Sequence, residues 1–212
     1  LLRFRPHATW LPTLPGRPKE SGGDSSRPSD DEVPRAQKDK TPVVLHAPSK
    51  TALKGTSRVR EVCRRLETEG IAEYREVSGV PHDELLRIIE DADIVIDSLS
   101  LGPYGVVALE SMRAGKTVVC NVWDSAREHV FDSTGFPLPV VQADQDSLEG
   151  ALRDLLDERE AWGARGVEGK RFVEQVHSRQ AAAAAMKRFL TEGGSAPSGP
   201  EVQIVKPVHD LD

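Results

Sequence analysis

From Val43 onward, short β-branched runs alternate with stretches whose apolar residues recur at helical spacing, and this alternation constrains the fold more than any other feature. Val43-Val44-Leu45 is a short apolar run that ends in His46-Ala47-Pro48-Ser49. Val59, Val62, Cys63 and Leu66 then share one helical face, with Gly70 placed as the C-cap. Tyr74 to Val77 is a weaker strand pattern, ended by Ser78-Gly79. Leu85, Leu86, Ile88 and Ile89 mark a second helix, expected to start near Asp83 as N-cap. Ile94-Val95-Ile96 is continuous and β-branched, which suits a parallel strand buried on both faces. Val106 to Ala114 reads as a helix apolar on nearly all sides, and Thr117 to Cys120 as another buried strand. Leu138 to Val141 is placed as the last strand. Leu148, Ala151, Leu152 and Leu155 mark a helix, with further helices around 167–176 and 179–190, where the alanines at 181–185 are good helix formers.

Strand and helix repeated at these lengths imply an α/β fold, a doubly wound parallel sheet covered on both faces. Ligands of such sheets bind beyond the carboxyl ends of the strands. The segments that matter are therefore 46–55, 78–82, 97–105 and 121–126.

The pattern stops short of both ends. The first forty-two residues hold seven of the fifteen prolines, and 16–40 contains one strong hydrophobe, Val33. Such a stretch buries too little apolar surface to offset an ordering entropy of roughly 1–2 kcal/mol per residue. Residues 191–203, with Gly193, Gly194, Pro197, Gly199 and Pro200, have the same character. The expected organisation is an interdomain strand or linker at 1–15, a disordered polar insertion at 16–42, a folded domain at 43–190 and a flexible tail at 191–212.

Several partner classes are disfavoured. The net charge is −6 and basic residues are interleaved with acids, which argues against a nucleic-acid binder. No run approaches the roughly 18 apolar residues of a membrane span, and no signal peptide is visible. The cytoplasm is the default location, and the chain, which lacks an initiating Met, reads as a piece of a longer protein. The two cysteines, Cys63 and Cys120, lie in apolar patterns without metal-like spacing and read as buried thiols.

Three apparent motifs fail on position. Ala114-Gly115-Lys116-Thr117 resembles the end of a phosphate-binding P-loop, but Glu110 stands where the leading glycine belongs, and the segment runs from helix to strand. Asp91-Ala92-Asp93 resembles a metal-binding Asp-x-Asp, yet it precedes its strand and so points away from the ligand end; no metal site is expected. Asp97 ends a strand as a phosphoacceptor would, without the acidic pair such a site needs after the first strand.

The segment from Ser98 to Lys116 carries more. A glycine-containing loop leaves a strand and opens directly into a helix, so the unpaired N–H groups near Gly105, Val106 and Val107 form a ready anion site. Gly105 lets an anion approach the backbone closely. Glu110 stands among Val106, Val107, Ala108, Leu109 and Met112, where an ionised carboxylate is costly unless paired. Arg113 at i+3 is one partner for it, and the two hydroxyls of a ribose are another; the residues alone leave both open. Lys54-Gly55-Thr56, after the first strand, can set an ammonium beside the same phosphates. Both segments lie at strand carboxyl ends, and strands one and four are commonly neighbours in doubly wound sheets.

With these segments placed, the chain from about Leu1 to Leu190 resembles the C-terminal domain of retaining, glycogen-synthase-like (family 4) glycosyltransferases of the GT-B fold. The resemblance rests on Leu45-His46-Ala47-Pro48-Ser49 with Lys54-Gly55-Thr56, on Ala92-Asp93-Ile94-Val95-Ile96, and most specifically on Gly105 to Val119. Phe4 to Pro12 is similar to the interdomain strand that follows the acceptor domain. The resemblance implies a Rossmann-like half of a GT-B fold that binds a UDP- or GDP-sugar without a protein-bound metal or other cofactor. Lys54 would contact the diphosphate as the catalytic cation, the backbone of Gly105 to Val107 would cap it, and Glu110 would hold the ribose. The turn Gly79-Val80-Pro81-His82 matches the place of the nucleobase, which assigns Val80 and His82. Gly55 and Tyr104 belong to the two binding segments.

Two positions depart from the group. Gly102 stands where a second glutamate serves the transferred sugar. The arginine before the Lys-Gly element is absent, leaving His46, Ser49 or Lys50 to substitute. The expected function is donor binding for hexosyl transfer with retention, inactive without a separate N-terminal acceptor domain. A non-catalytic nucleotide-sugar-binding or interaction module is the alternative. A sugar-nucleotide epimerase fits the Lys-Gly and Glu110 segments less well, and a plain α/β interaction domain would need Glu110 only for Arg113.

Overall fold

The structure, a computed structural model, describes residues 40–191 except Lys50 and Leu101. The expected interdomain strand at 1–15, nearly all of the polar insertion at 16–42 and the tail from 192 lie outside the described residues.

Five strands form one all-parallel sheet: β1 (Val43–His46), β2 (Glu73–Glu76), β3 (Ile94–Ile96), β4 (Thr117–Cys120) and β5 (Val141–Gln142). They lie in the order β2-β1-β3-β4-β5. The connecting helices are α1 (Thr51–Lys54), α2 (Thr56–Thr68), α3 (His82–Asp91), α4 (Val106–Arg113), α5 (Asp124–Thr134) and α6 (Leu148–Asp157). A single 3-10 turn, Arg159–Ala161, then leads into α7 (Trp162–Val176) and α8 (Arg179–Thr191).

The period of two along each strand sorts the core. Val44, Ile94, Ile96 and Val119 face Val59, Val62 and Leu66 of α2 and Leu148, Leu152 and Leu155 of α6. On the other face, Val43, Leu45 and Val95 pack with Ile89 of α3. There too, Val118 and Cys120 pack with Leu109 and Met112 of α4 and Phe172 and Val173 of α7. Ile94, Val95 and Ile96 are 0% exposed, so both faces of the central strand are dry. Each such side chain stabilises the fold by about 1.5–3 kcal/mol.

Several local expectations need correction. The third helix begins at His82 after Pro81, one residue before the expected Asp83 cap; the N–H groups of Glu84 and Leu85 bond the Pro81 carbonyl at 3.1 and 3.0 Å, and Asp83 falls within the first turn. Helix α2 ends with Glu69 as C-cap, and Gly70, at φ 73°, follows it: Gly70 and Ile71 return N–H bonds to Glu67 and Leu66. The last strand is only Val141–Gln142, because Pro137 and Pro139 have no N–H for a ladder. Helix α5 has no counterpart in the sequence pattern, since Val130 is its single buried residue. The neighbour of β1 is β3 rather than β4, and it is β3 that the glycine loop leaves. Both cysteines are free and buried, and desolvation pushes each thiol up to about 12.

Candidate functional site

Strand order reverses direction between β1 and β3, so the crevice at their carboxyl ends is the switch point where ligands of open α/β sheets bind. The chain beyond β1 runs through Ala47-Pro48-Ser49 into α1, whose last residue is Lys54. The chain beyond β3 runs from Asp97 to Gly105, the N-cap of α4. The two segments are tied together by the Leu99 N–H, which donates to the Lys54 carbonyl at 3.2 Å.

Lys54 and Gly105 meet on a single anion. The Lys54 Nζ donates to Asp97 Oδ1 at 2.5 Å, and the Gly105 N–H donates to Asp97 Oδ2 at 2.8 Å. The side chains of Lys54 and Asp97 are 11% and 1% exposed, so the pair is nearly dry. A Cβ on Gly105 would lie 2.9 Å from Asp97 Oδ2 and 3.3 Å from Lys54 Nζ, which is why a glycine caps this helix. The sequence placed Lys54 and the α4 N-terminus around a phosphate and set Asp97 aside as a phosphoacceptor. That missed its place between them: an acid closing a buried strand beside a glycine loop was the available signal.

Glu110 is buried on α4 and meets His82 at the start of α3. His82 Nε2 and Glu110 Oε1 are 2.6 Å apart, and an ionised carboxylate accepts from the Nε2–H. The contact joins two candidate residues 28 positions apart. Val80 is half-buried and Ser49 exposed, while Val106 is exposed and Val107 half-buried in the first turn of α4. Gly55, at φ 72°, turns the chain from Lys54 into α2.

His46 is fully buried at the end of β1 and serves the scaffold. Its Nδ1–H donates to the Ile96 carbonyl at 2.9 Å, which leaves Nε2 to accept from the Thr56 hydroxyl at 2.9 Å. Burial lowers its pKa, so the ring is held neutral. Tyr104 is turned against α7, where its hydroxyl lies 3.0 Å from His177 Nε2 and its ring packs edge-on to Phe172. Burial raises the pKa of that hydroxyl.

Two of the motifs that fail on position, Asp91-Ala92-Asp93 and Ala114 to Thr117, lie at the other end of the sheet. Asp93 accepts the Val43 N–H at 2.8 Å at the start of β1, and Lys116 donates to the Glu90 carbonyl at 2.7 Å. Among the described residues no group of three His, Cys, Asp or Glu side chains gathers as a metal cluster. No described helix is long and apolar enough to cross a membrane.

Trp123, half exposed at the start of α5, is a residue the pattern did not single out. It lies over Gly102, where a Cβ would meet its ring at 2.2 Å, and the Trp123 N–H donates to the Gly102 carbonyl at 3.0 Å. The space that a side chain at Gly102 would enter is therefore filled by an indole.

No sequence model of a known protein family matches the chain. No curated protein matches it in sequence either. Solved structures do share its fold. S. aureus TarM, in a structure that holds UDP, aligns with a TM-score of 0.55 at 11% identity over 76% of this chain and 38% of that one. WaaG, a glycosyltransferase involved in lipopolysaccharide biosynthesis, aligns at 0.52 and 17% identity, over 85% of this chain and 55% of WaaG. Anabaena HepE, in complex with UDP-glucose, aligns at 0.51 and 12% identity, over 72% of this chain and 49% of HepE. These proteins are GT-B glycosyltransferases, and the likeness shows that this chain has a GT-B α/β fold. It spans between 38% and 55% of their lengths.

Proposed function

We propose that this chain is the donor-binding half of a glycosyltransferase and holds a nucleotide-diphosphate sugar for hexosyl transfer with retention. The observation that carries the reading is the convergence of the Lys54 ammonium and the Gly105 N–H on one carboxylate at the β1/β3 switch point. Two anion-binding groups aimed at the same point suit a diphosphate. The first-turn N–H groups of Val106 and Val107 extend the same site. Glu110, one helical turn further, would accept from the ribose diol, and Val80 and His82 would form the side for the base. Ser49 and Gly55 border Lys54, and Tyr104 fixes the loop from outside. UDP in the TarM and HepE structures makes UDP the first ligand to test, with GDP beside it.

In this reading the bond from the sugar C1 to the diphosphate breaks, the electron pair stays on the diphosphate oxygen, and C1 bonds the acceptor hydroxyl oxygen, whose proton passes to the departing diphosphate. Lys54 and the α4 N-terminus stabilise the charge that develops on the leaving group, so no metal ion is required. The acceptor would come to a separate N-terminal domain, and this chain alone would bind donor without transferring it.

Calorimetric titration with UDP, GDP and ADP tests the reading. One diphosphate should bind, with binding weakened in both Lys54→Ala and Glu110→Ala. A folded chain that takes none of the three would overturn it. The indole over Gly102 favours a second reading, a nucleotide-sugar-binding module without catalysis. Transfer by a longer chain carrying an acceptor domain would eliminate that reading.

A further inference from the structure

An acid at the centre of a diphosphate site is a contradiction unless it has a task there. The carboxylate of Asp97 uses one oxygen for the Lys54 ammonium and the other for the Gly105 N–H, at 2.5 and 2.8 Å. These are the two donors assigned above to the diphosphate. With its side chain 1% exposed, Asp97 is screened little by water. A phosphate brought within hydrogen-bond reach of both donors would therefore stand against a like charge in a dry site.

Without a nucleotide the crevice would need such a charge all the same. Lys54, 11% exposed, has to be neutralised when no ligand is present, because a buried unpaired ammonium is strongly destabilising. A scaffold ion pair alone would not require the α4 backbone to close on it as well. Yet Gly105 is drawn in so far that even a methyl group there would press on Asp97 Oδ2 and Lys54 Nζ. The carboxylate thus sits in the position of a ligand, coordinated as a ligand.

We propose that Asp97 is an internal stand-in for the donor diphosphate. It neutralises Lys54 and the α4 N-terminus in the free protein and yields both donors when the nucleotide enters, so it limits donor affinity. The proposal rests on the donor-site reading and adds a competitor to it.

The test is titration of the wild-type chain, Asp97→Asn and the double variant Asp97→Asn/Glu110→Ala with UDP and GDP. Asn keeps the shape and removes the charge. The expected result is binding of the same nucleotide to Asp97→Asn tighter by roughly tenfold or more, the scale of one removed like-charge contact, and weakened again by Glu110→Ala. Equal or weaker binding to a folded Asp97→Asn, with Glu110→Ala still weakening it, overturns the stand-in and leaves the donor site standing. No binding by any folded variant overturns both. A wild-type crystal structure with the bound nucleotide provides a check that does not depend on the folding of the variants. Lys54 Nζ should lie on a phosphate oxygen and Asp97 beyond ion-pair distance; Asp97 still holding both donors beside the bound nucleotide would overturn the proposal.

Discussion

His82 Nε2 lies 2.6 Å from Glu110 Oε1, joining a side chain that is 47% exposed to one that is 1% exposed. The contact gives the buried carboxylate a partner at the open side of the crevice, where a ribose diol would approach. Glu110→Ala is predicted to weaken nucleotide-diphosphate binding by about 1–3 kcal/mol, the range for lost charge-assisted hydrogen bonds. His82→Ala should cost less, because the carboxylate proposed to receive the ribose remains. Calorimetry on both variants checks the order. Unchanged affinity in Glu110→Ala would remove the ribose assignment.

Gly102 and Trp123 give a prediction about packing in the loop before α4. Gly102 has φ 80°, and the Trp123 ring occupies the space of any Cβ there. Gly102→Glu should lose about 1–3 kcal/mol from overpacking, plus roughly 1–3 kcal/mol from the left-handed backbone. Adding Trp123→Ala should recover the first part and leave the second, a coupling that a double-mutant cycle in urea reads directly. Additive losses would mean that the ring yields without cost.

The buried histidine of β1 sets a pH dependence. Desolvation lowers the His46 pKa below 6.5, so the unfolded chain binds a proton that the folded chain refuses. Stability then rises with pH through the window from the lowered folded value up to 6.5, and it is lost as pH falls through that window. Urea midpoints between pH 5 and 7 should fall on acidification in the wild type, and the slope should flatten in His46→Gln. A slope that persists unchanged in the variant would assign the effect elsewhere.

The sheet was legible because parallel strands buried on both faces leave an unmistakable mark: Val43-Val44-Leu45, Ile94-Val95-Ile96 and Thr117-Val118-Val119-Cys120 each appear as strands within a residue of their apolar runs. Helix α5 was not legible, because a helix that buries only Val130 carries no stripe. In the site, Glu110 stood out as an acid in an apolar helix, Lys54 as a cation after the first strand and Gly105 as a glycine opening a helix. What escaped was pairing across the fold. Nothing local says that Asp97 reaches Lys54, 43 positions away, or that Trp123 covers Gly102. Such contacts follow from the strand order, and the order places β1 beside β3 rather than β4.

Helix α7 holds α4, and therefore Glu110, through two glycines that behave differently. A Cβ on Gly166 would lie 2.3 Å from the Gly115 carbonyl oxygen, a backbone atom in the tight turn between α4 and β4 that no rotamer change can move. A Cβ on Gly169 would lie 3.3 Å from the Met112 Cα, Cβ and Cγ, a tight contact that a small shift between the helices relieves. Replacing a helical glycine by alanine gains roughly 0.5–1 kcal/mol of backbone entropy in either case. Gly169→Ala should therefore come out near neutral. Gly166→Ala should lose about 1–3 kcal/mol, since overpacking exceeds the entropic gain. Urea denaturation of the two variants separates these outcomes. Equal stabilities would show that α7 slides along α4 to make room.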